Sequence, residues 1–296
     1  MNKEEVIEEA QKPVAPIDLS AIKNLDVAGD RDESLKEIKS KASTMKKNKG
    51  KFCFMEAHRI PLLSGGRYYQ DSNDQDLKDG YIKLVPMSLA EEEILTNQAY
   101  LKNNSAFRLV FDNCLRSDYK ASNLLSYDVY YLLYALRNIS YGNDYEFNCK
   151  CAECGKEFKK TINIDEIDWE EIPEDVQDEV TVNLPVSKYT VKIRMSRLKD
   201  EEEVTRLSTV KKYEEVPERI LEYFVRTIEI IDDNGDPVAP SDWIEFYQAL
   251  PTKDRVAIAD KFNYASNVPT VQIVCPKCSA TREVGIPIDK GFFRLS

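Results

Sequence analysis

Cys151-Ala-Glu-Cys154 and Cys275-Pro-Lys-Cys278 stand more than a hundred residues apart and decide how this chain closes. Tyr145 and Phe147 alternate with polar residues before the first pair, and Phe158 and Ile162 carry the apolar face beyond it. Val271 and Ile273 lead into the second pair, and Val284, Ile286 and Ile288 lead out. Alternation with a period of two on both sides of a tight turn marks a half-buried hairpin. A Cys-x-x-Cys at a hairpin tip aims two thiolates at one point, and two such tips supply the four ligands of a tetrahedral structural zinc. Gly155 follows the first pair, where the turn calls for a positive φ. The reading is therefore an α+β chain whose four-cysteine zinc ribbon, Cys151, Cys154, Cys275 and Cys278, is assembled from two remote hairpins.

Other uses of these thiols are open. A redox Cys-x-x-Cys normally starts a helix in a βαβ unit, whereas these lie between strands. Two disulfides would suit a secreted protein, but seven cysteines leave an odd thiol. Cys149 forms a local Cys-x-Cys with Cys151 and competes as a ligand; it reads as a bystander, because using it would break the matched pairs. Cys53 and Cys114 sit in apolar surroundings and read as small buried hydrophobes. A metal closed off by four thiolates has no open coordination position, so its expected role is architectural.

Composition narrows the partners. The chain has 296 residues and a formal charge of −11, unevenly spread. Lys36 to Lys51 holds seven lysines and one glutamate, a local +6, which leaves the remainder at −11 − 6 = −17. Thr161 to Ser187 holds nine acids and no base. So acidic a body repels a phosphate backbone, which argues against nucleic acid as a partner. The acidic stretch itself reads as a solvated face. No apolar run approaches the ~18 residues of a membrane span. Nor is there a hydrophobic N-terminal segment, so the expectation is a protein made and kept in a reducing cytoplasm.

Along the chain, residues 1–50 read as an extended arm, sparse in apolar residues. Residues 51–144 read as mainly helical. Within them, Tyr81–Val85 reads as a strand, and Ser88 with Glu91 forms a capping box before a helix. The strongest helix runs from about Asn123 to Ser140, with Leu125, Val129, Leu132, Leu136 and Ile139 at spacings of three and four. Tyr127, Tyr130, Tyr131 and Tyr134 add an aromatic stripe, which is core more often than binding surface. Residues 145–164 and 268–296 form the ribbon, and residues 165–267 an α+β insertion. In the insertion, strands are expected at Val180–Leu184, Tyr189–Met195 and Thr227–Ile231, with helices at Asp200–Lys211 and Pro217–Arg226. Ser241 and Thr252 are expected to cap two more helices.

Catalytic equipment is sparse. The single histidine, His58, lies in an extended region with nothing to suggest a triad. The sequence contains no P-loop, no Gly-x-Ser-x-Gly elbow and no His-Glu-x-x-His. The expectation is a protein that is not an enzyme and has no small-molecule substrate.

Three stretches carry a family likeness: Met87-Ser-Leu-Ala-Glu-Glu-Glu-Ile-Leu-Thr96, the run from Ala135-Leu-Arg-Asn-Ile-Ser-Tyr-Gly142 into the first knuckle, and the ending Cys275-Pro-Lys-Cys278 with Gly291-Phe-Phe-Arg294. Together they resemble the baseplate hub subunit family of T-even-type contractile-tailed bacteriophages, over about Ile60 to Leu295. The arm falls outside the likeness, and Cys-Ala-Glu-Cys replaces the more usual Cys-Pro-x-Cys. The resemblance implies a structural component or assembly factor of a phage tail baseplate, with zinc on the same four cysteines. It also implies other baseplate and tail proteins as partners and a place in the virion after assembly in the host cytoplasm. On that reading the arm and Phe292–Phe293 are candidate contacts to neighbouring subunits; alternatively, the two aromatics fold back onto the ribbon. The competing function is a zinc-ribbon regulator that binds nucleic acid through Lys36–Lys51.

Overall fold

The computed structural model describes residues 55–102, 104–265, 269–288 and 291–293. The expected arm, the Lys36–Lys51 run and Cys53 lie outside the described residues. Helix and strand are mixed, as the α+β reading requires, and the hydrophobic side chains gather into two clusters.

The first cluster is built around one helix. Strand β1 (His58–Pro61) pairs antiparallel with β2 (Tyr81–Leu84) across a loop containing the short helix α1 (Gln75–Lys78). Gly66 in that loop has φ +77°, and a Cβ there would lie 2.4 Å from the Leu77 carbonyl oxygen, so only glycine fits. Helix α2 (Leu89–Thr96) begins with the expected capping box, the Glu91 carboxylate accepting from the Ser88 N–H at 2.7 Å. Helices α3 (Gln98–Lys102) and α4 (Ala106–Cys114) follow. Helix α5 (Ser126–Tyr141) then buries Val129, Leu132 and Leu136 with the preceding Leu125, the stripe read from the sequence. Tyr127 and Tyr134 of the aromatic stripe are buried with it, and Tyr130 and Tyr131 are half-buried at its edge.

Helix α5 also buries a charge. Asp128 is fully enclosed and accepts three hydrogen bonds, from the Ser64 N–H (3.0 Å), the Ser64 hydroxyl (2.6 Å) and the Tyr69 hydroxyl (2.6 Å). Tyr69 in turn accepts from the Leu125 N–H at 3.0 Å. The network pins the β1–β2 loop to the first turn of α5 and explains how a carboxylate survives in an apolar interior.

The second cluster lies under an antiparallel sheet of order β5-β6-β7, formed by Glu179–Asn183, Thr190–Arg194 and Thr227–Ile231. Helices α6 (Leu198–Ser208), α7 (Glu218–Arg226), α8 (Trp243–Ala249) and α9 (Thr252–Ala259) complete it. Asp200 starts α6. Its carboxylate takes both arms of Arg194, at 2.6 and 2.7 Å, and the Arg197 N–H at 2.8 Å.

Two expected caps are corrected here. Helix α8 follows Asp242 and α9 follows Pro251, with no side-chain cap bond at either, and the Ser241 hydroxyl donates to Asp242 at 2.9 Å. Pro240 and Pro251 already hold φ near the helical value, so neither start needs a hydroxyl cap. Asp254 inside α9 acts on another element. Its carboxylate accepts the Val186 and Ser187 N–H groups at 2.8 and 2.9 Å and so holds the β5–β6 turn.

Candidate metal centre

Helix α5 ends at Gly142 and delivers the chain into β3 (Asp144–Lys150), which pairs with β4 (Glu157–Asn163). Tyr145, Phe147 and Cys149 face the core, while Asp144, Glu146, Asn148 and Lys150 face solvent, the period-two pattern expected of this strand. The second hairpin pairs β8 (Thr270–Val274) with β9 (Thr281–Gly285), with Val274 opposite Thr281.

The two tips are built alike. In the first, the Cys151 N–H donates to the Lys156 carbonyl (2.9 Å) and the Gly155 N–H to the Cys151 carbonyl (3.0 Å). In the second, the Cys275 N–H donates to the Ala280 carbonyl (2.9 Å) and the Ser279 N–H to the Cys275 carbonyl (2.9 Å). The residue after each second cysteine takes a positive φ, +66° at Gly155 and +59° at Ser279. Gly155 thus adopts the conformation expected of it, and the equivalent serine accepts the same conformation at a steric cost. A Cβ at Gly155 would meet nothing within 4 Å. Gly155→Ala should therefore lose only about 1 kcal/mol, from the backbone conformation alone, in a denaturant titration. A loss of about 3 kcal/mol or more would mean the turn tolerates no shift.

These tips bring the four expected cysteines together. All four sulfurs lie within 4.8 Å of one another. Cys151 Sγ is 3.6 Å from Cys278 Sγ, and Cys154 Sγ is 3.6 Å from Cys275 Sγ, so both contacts run between hairpins. A zinc–sulfur bond of about 2.3 Å in a tetrahedron requires sulfur–sulfur edges of about 3.8 Å, so this donor set fits a divalent metal that prefers thiolates. The Lys277 N–H points at Cys275 Sγ at 3.4 Å. Burial acts to raise the Cys275 thiol, but the N–H groups of Cys278 and Lys277, together with the neighbouring Cys278 and Cys154 sulfurs, bring the value down to about 6. Ala280 lowers Cys278 through its backbone, yet the neighbouring sulfurs push it up to about 12. Four thiols packed this closely do not ionise independently, and a cation at their centre would relieve the repulsion of the ionised set.

Among the described residues, the two other thiols stand apart. Cys149 is buried opposite Phe158 on the inner face of β3 and is not among the four gathered sulfurs. Cys114 is buried in the first cluster, and burial pushes its thiol well above the ordinary range. His58 is exposed on β1.

Sequence reasoning missed what clamps the hairpins to the helical body. The Tyr134 hydroxyl on α5 donates to the Ile286 carbonyl (2.9 Å), and the Tyr145 hydroxyl on β3 donates to the Pro287 carbonyl (3.0 Å). Phe292 is fully buried, its ring 4.8 Å from Tyr134 and 5.0 Å from Tyr145. Phe292 and Phe293 therefore fold back onto the ribbon instead of being presented to a neighbour, because burial of two aromatic rings outweighs solvent exposure. The signal lay in aromatic residues at both ends of the contact, but a sequence does not pair them.

Among the described residues no helix is long and apolar enough to cross a membrane. The family model described as T4 bacteriophage base plate protein matches residues 71–294. No curated protein and no solved structure matches the chain significantly. The match spans most of the sequence, and the chain belongs to this family. It is thus a phage tail baseplate protein, one of the proteins from which the virion's tail is assembled.

Proposed function

We propose that this baseplate protein is a hub component or hub assembly factor that performs no catalysis and is held rigid by zinc bound to Cys151, Cys154, Cys275 and Cys278. The carrying observation is that four sulfurs from hairpins 121 and 127 residues apart in sequence converge on one point. Zinc there supplies closed coordination and no reactive position. It joins the middle of the chain to its C-terminal region and so fixes the α5–ribbon body against its neighbours. The resemblance of the Met87–Thr96 and Ala135–Cys154 runs to hub subunits supports the place in the baseplate. The chain then divides into the arm 1–50, a mainly helical region 51–144, the ribbon 145–164 with 268–296, and the α+β insertion 165–267. Its partners are other baseplate and tail proteins, met during assembly in the host cytoplasm.

Metal analysis of the full-length chain should find about one zinc per molecule. Cross-linking in assembled particles should join it to central baseplate subunits. A chain that purifies metal-free and stable would remove the zinc, and cross-links confined to the baseplate rim would remove the hub.

A further inference from the structure

We infer that the four-thiol cluster is also a thiol–disulfide lock, whose oxidised form carries Cys151–Cys278 and Cys154–Cys275 bridges between the hairpins. The inference deepens the zinc reading, since the same sulfurs that hold the metal would bind one another when it leaves. Both 3.6 Å sulfur contacts run from one hairpin to the other, so each bridge needs an approach of about 1.6 Å to reach disulfide length. The hairpins are held by their own backbone bonds at Cys151–Lys156 and Cys275–Ala280, which do not depend on metal. The Tyr134 and Tyr145 hydroxyls also tie the second hairpin in place. Losing the cation therefore leaves the sulfurs facing one another.

Access is uneven in a useful way. Cys278 is exposed and Cys154 is half-buried, one from each contact, while Cys151 and Cys275 are buried behind them. An oxidant meets one sulfur of each pair and finds the resolving thiol directly beneath it. With a peroxide, Cys278, a thiolate while it holds the metal, attacks one peroxide oxygen; the O–O bond breaks, and the leaving hydroxide takes a proton to become water. Cys151 then attacks the sulfenic sulfur of Cys278, the S–S bond forms as the S–O bond breaks, and the departing hydroxide takes a proton to leave as a second water. Cys154 and Cys275 follow the same course. For the loaded site, four thiolates, two peroxides and four protons give two disulfides, four waters and the free metal ion. A hub component would be carried in the virion, and virions meet the oxidising medium in which disulfides persist. The lock would keep the two hairpins joined there without metal.

The test is titration of the full-length protein with hydrogen peroxide. A chromophoric chelator reports released metal, and digestion without reductant followed by mass spectrometry maps the bridges. Expected are two peroxides consumed per metal released, linked peptides joining Cys151 to Cys278 and Cys154 to Cys275, and recovery of metal binding after dithiothreitol and zinc. Cys149→Ser should give the same map. Bridges confined to Cys151–Cys154 and Cys275–Cys278, or sulfinic and sulfonic acids without linked peptides, would overturn the lock. If the protein carries no metal, the chelator stays silent and the peptide map still decides, so the two readings fail separately.

Discussion

Cys278→Ser is expected to abolish stoichiometric zinc binding and to lower the unfolding free energy by about 3–6 kcal/mol. The choice of cysteine matters. Cys151 and Cys275 are buried, so replacing either removes packing as well as a ligand. Cys278 is exposed, and its side chain contributes little to the core. Its loss therefore reports on the metal. Structural zinc binding in small peptides carries about 10–16 kcal/mol, and there almost all of it appears as folding energy. Here the hairpins are also held by ladder bonds and by Phe292, so only part of that energy should be lost. Denaturant unfolding with and without a chelator separates the terms. The native chain should fall to the variant's stability when chelated, and the variant should not respond. Equal stability of the native chain in both conditions would show that the cluster holds no metal of structural weight.

How much of this could be read beforehand follows from the range of each interaction. The hairpins were legible because period-two alternation is local, and Cys-x-x-Cys spacing is a ligand pattern in itself. The α5 stripe was legible for the same reason, at a period of 3.6. Helix and strand limits moved by two or three residues: the helix expected from Asp200 begins at Leu198 and ends at Ser208, where Lys211 was expected. Caps at Ser241 and Thr252 failed because two prolines set those turns. What could not be read is pairing between remote residues. Nothing local says that Tyr134 will reach the Ile286 carbonyl or that Phe292 will lie between Tyr134 and Tyr145. One signal was present and unused. Asp128 stands three residues after Leu125 and four before Leu132, on the apolar face of its helix, where a carboxylate must be satisfied by something distant.

That carboxylate supplies the second large effect. Asp128→Ala should cost about 4 kcal/mol at pH 7, because it strands the Ser64 N–H, the Ser64 hydroxyl and the Tyr69 hydroxyl in a site closed to water. The pH dependence has a definite sign. Burial raises the folded pKa of Asp128 above the ordinary 3.8, and the Ser64 and Tyr69 donors only partly oppose the rise. A raised pKa means that the folded state holds its proton where the unfolded chain has lost it. Stability attributable to Asp128 is thus fully present below the unfolded pKa and declines as pH rises through the folded one. Asp128→Asn has no such proton to lose, so its penalty relative to the native chain should be greatest near pH 4 and should shrink on going to pH 8. Urea titrations of both proteins across that range measure the difference directly. A penalty that grows with pH would mean that the three donors hold the carboxylate ionised more strongly than burial opposes it, and that the network, not the apolar surroundings, sets the charge state of the α5 core.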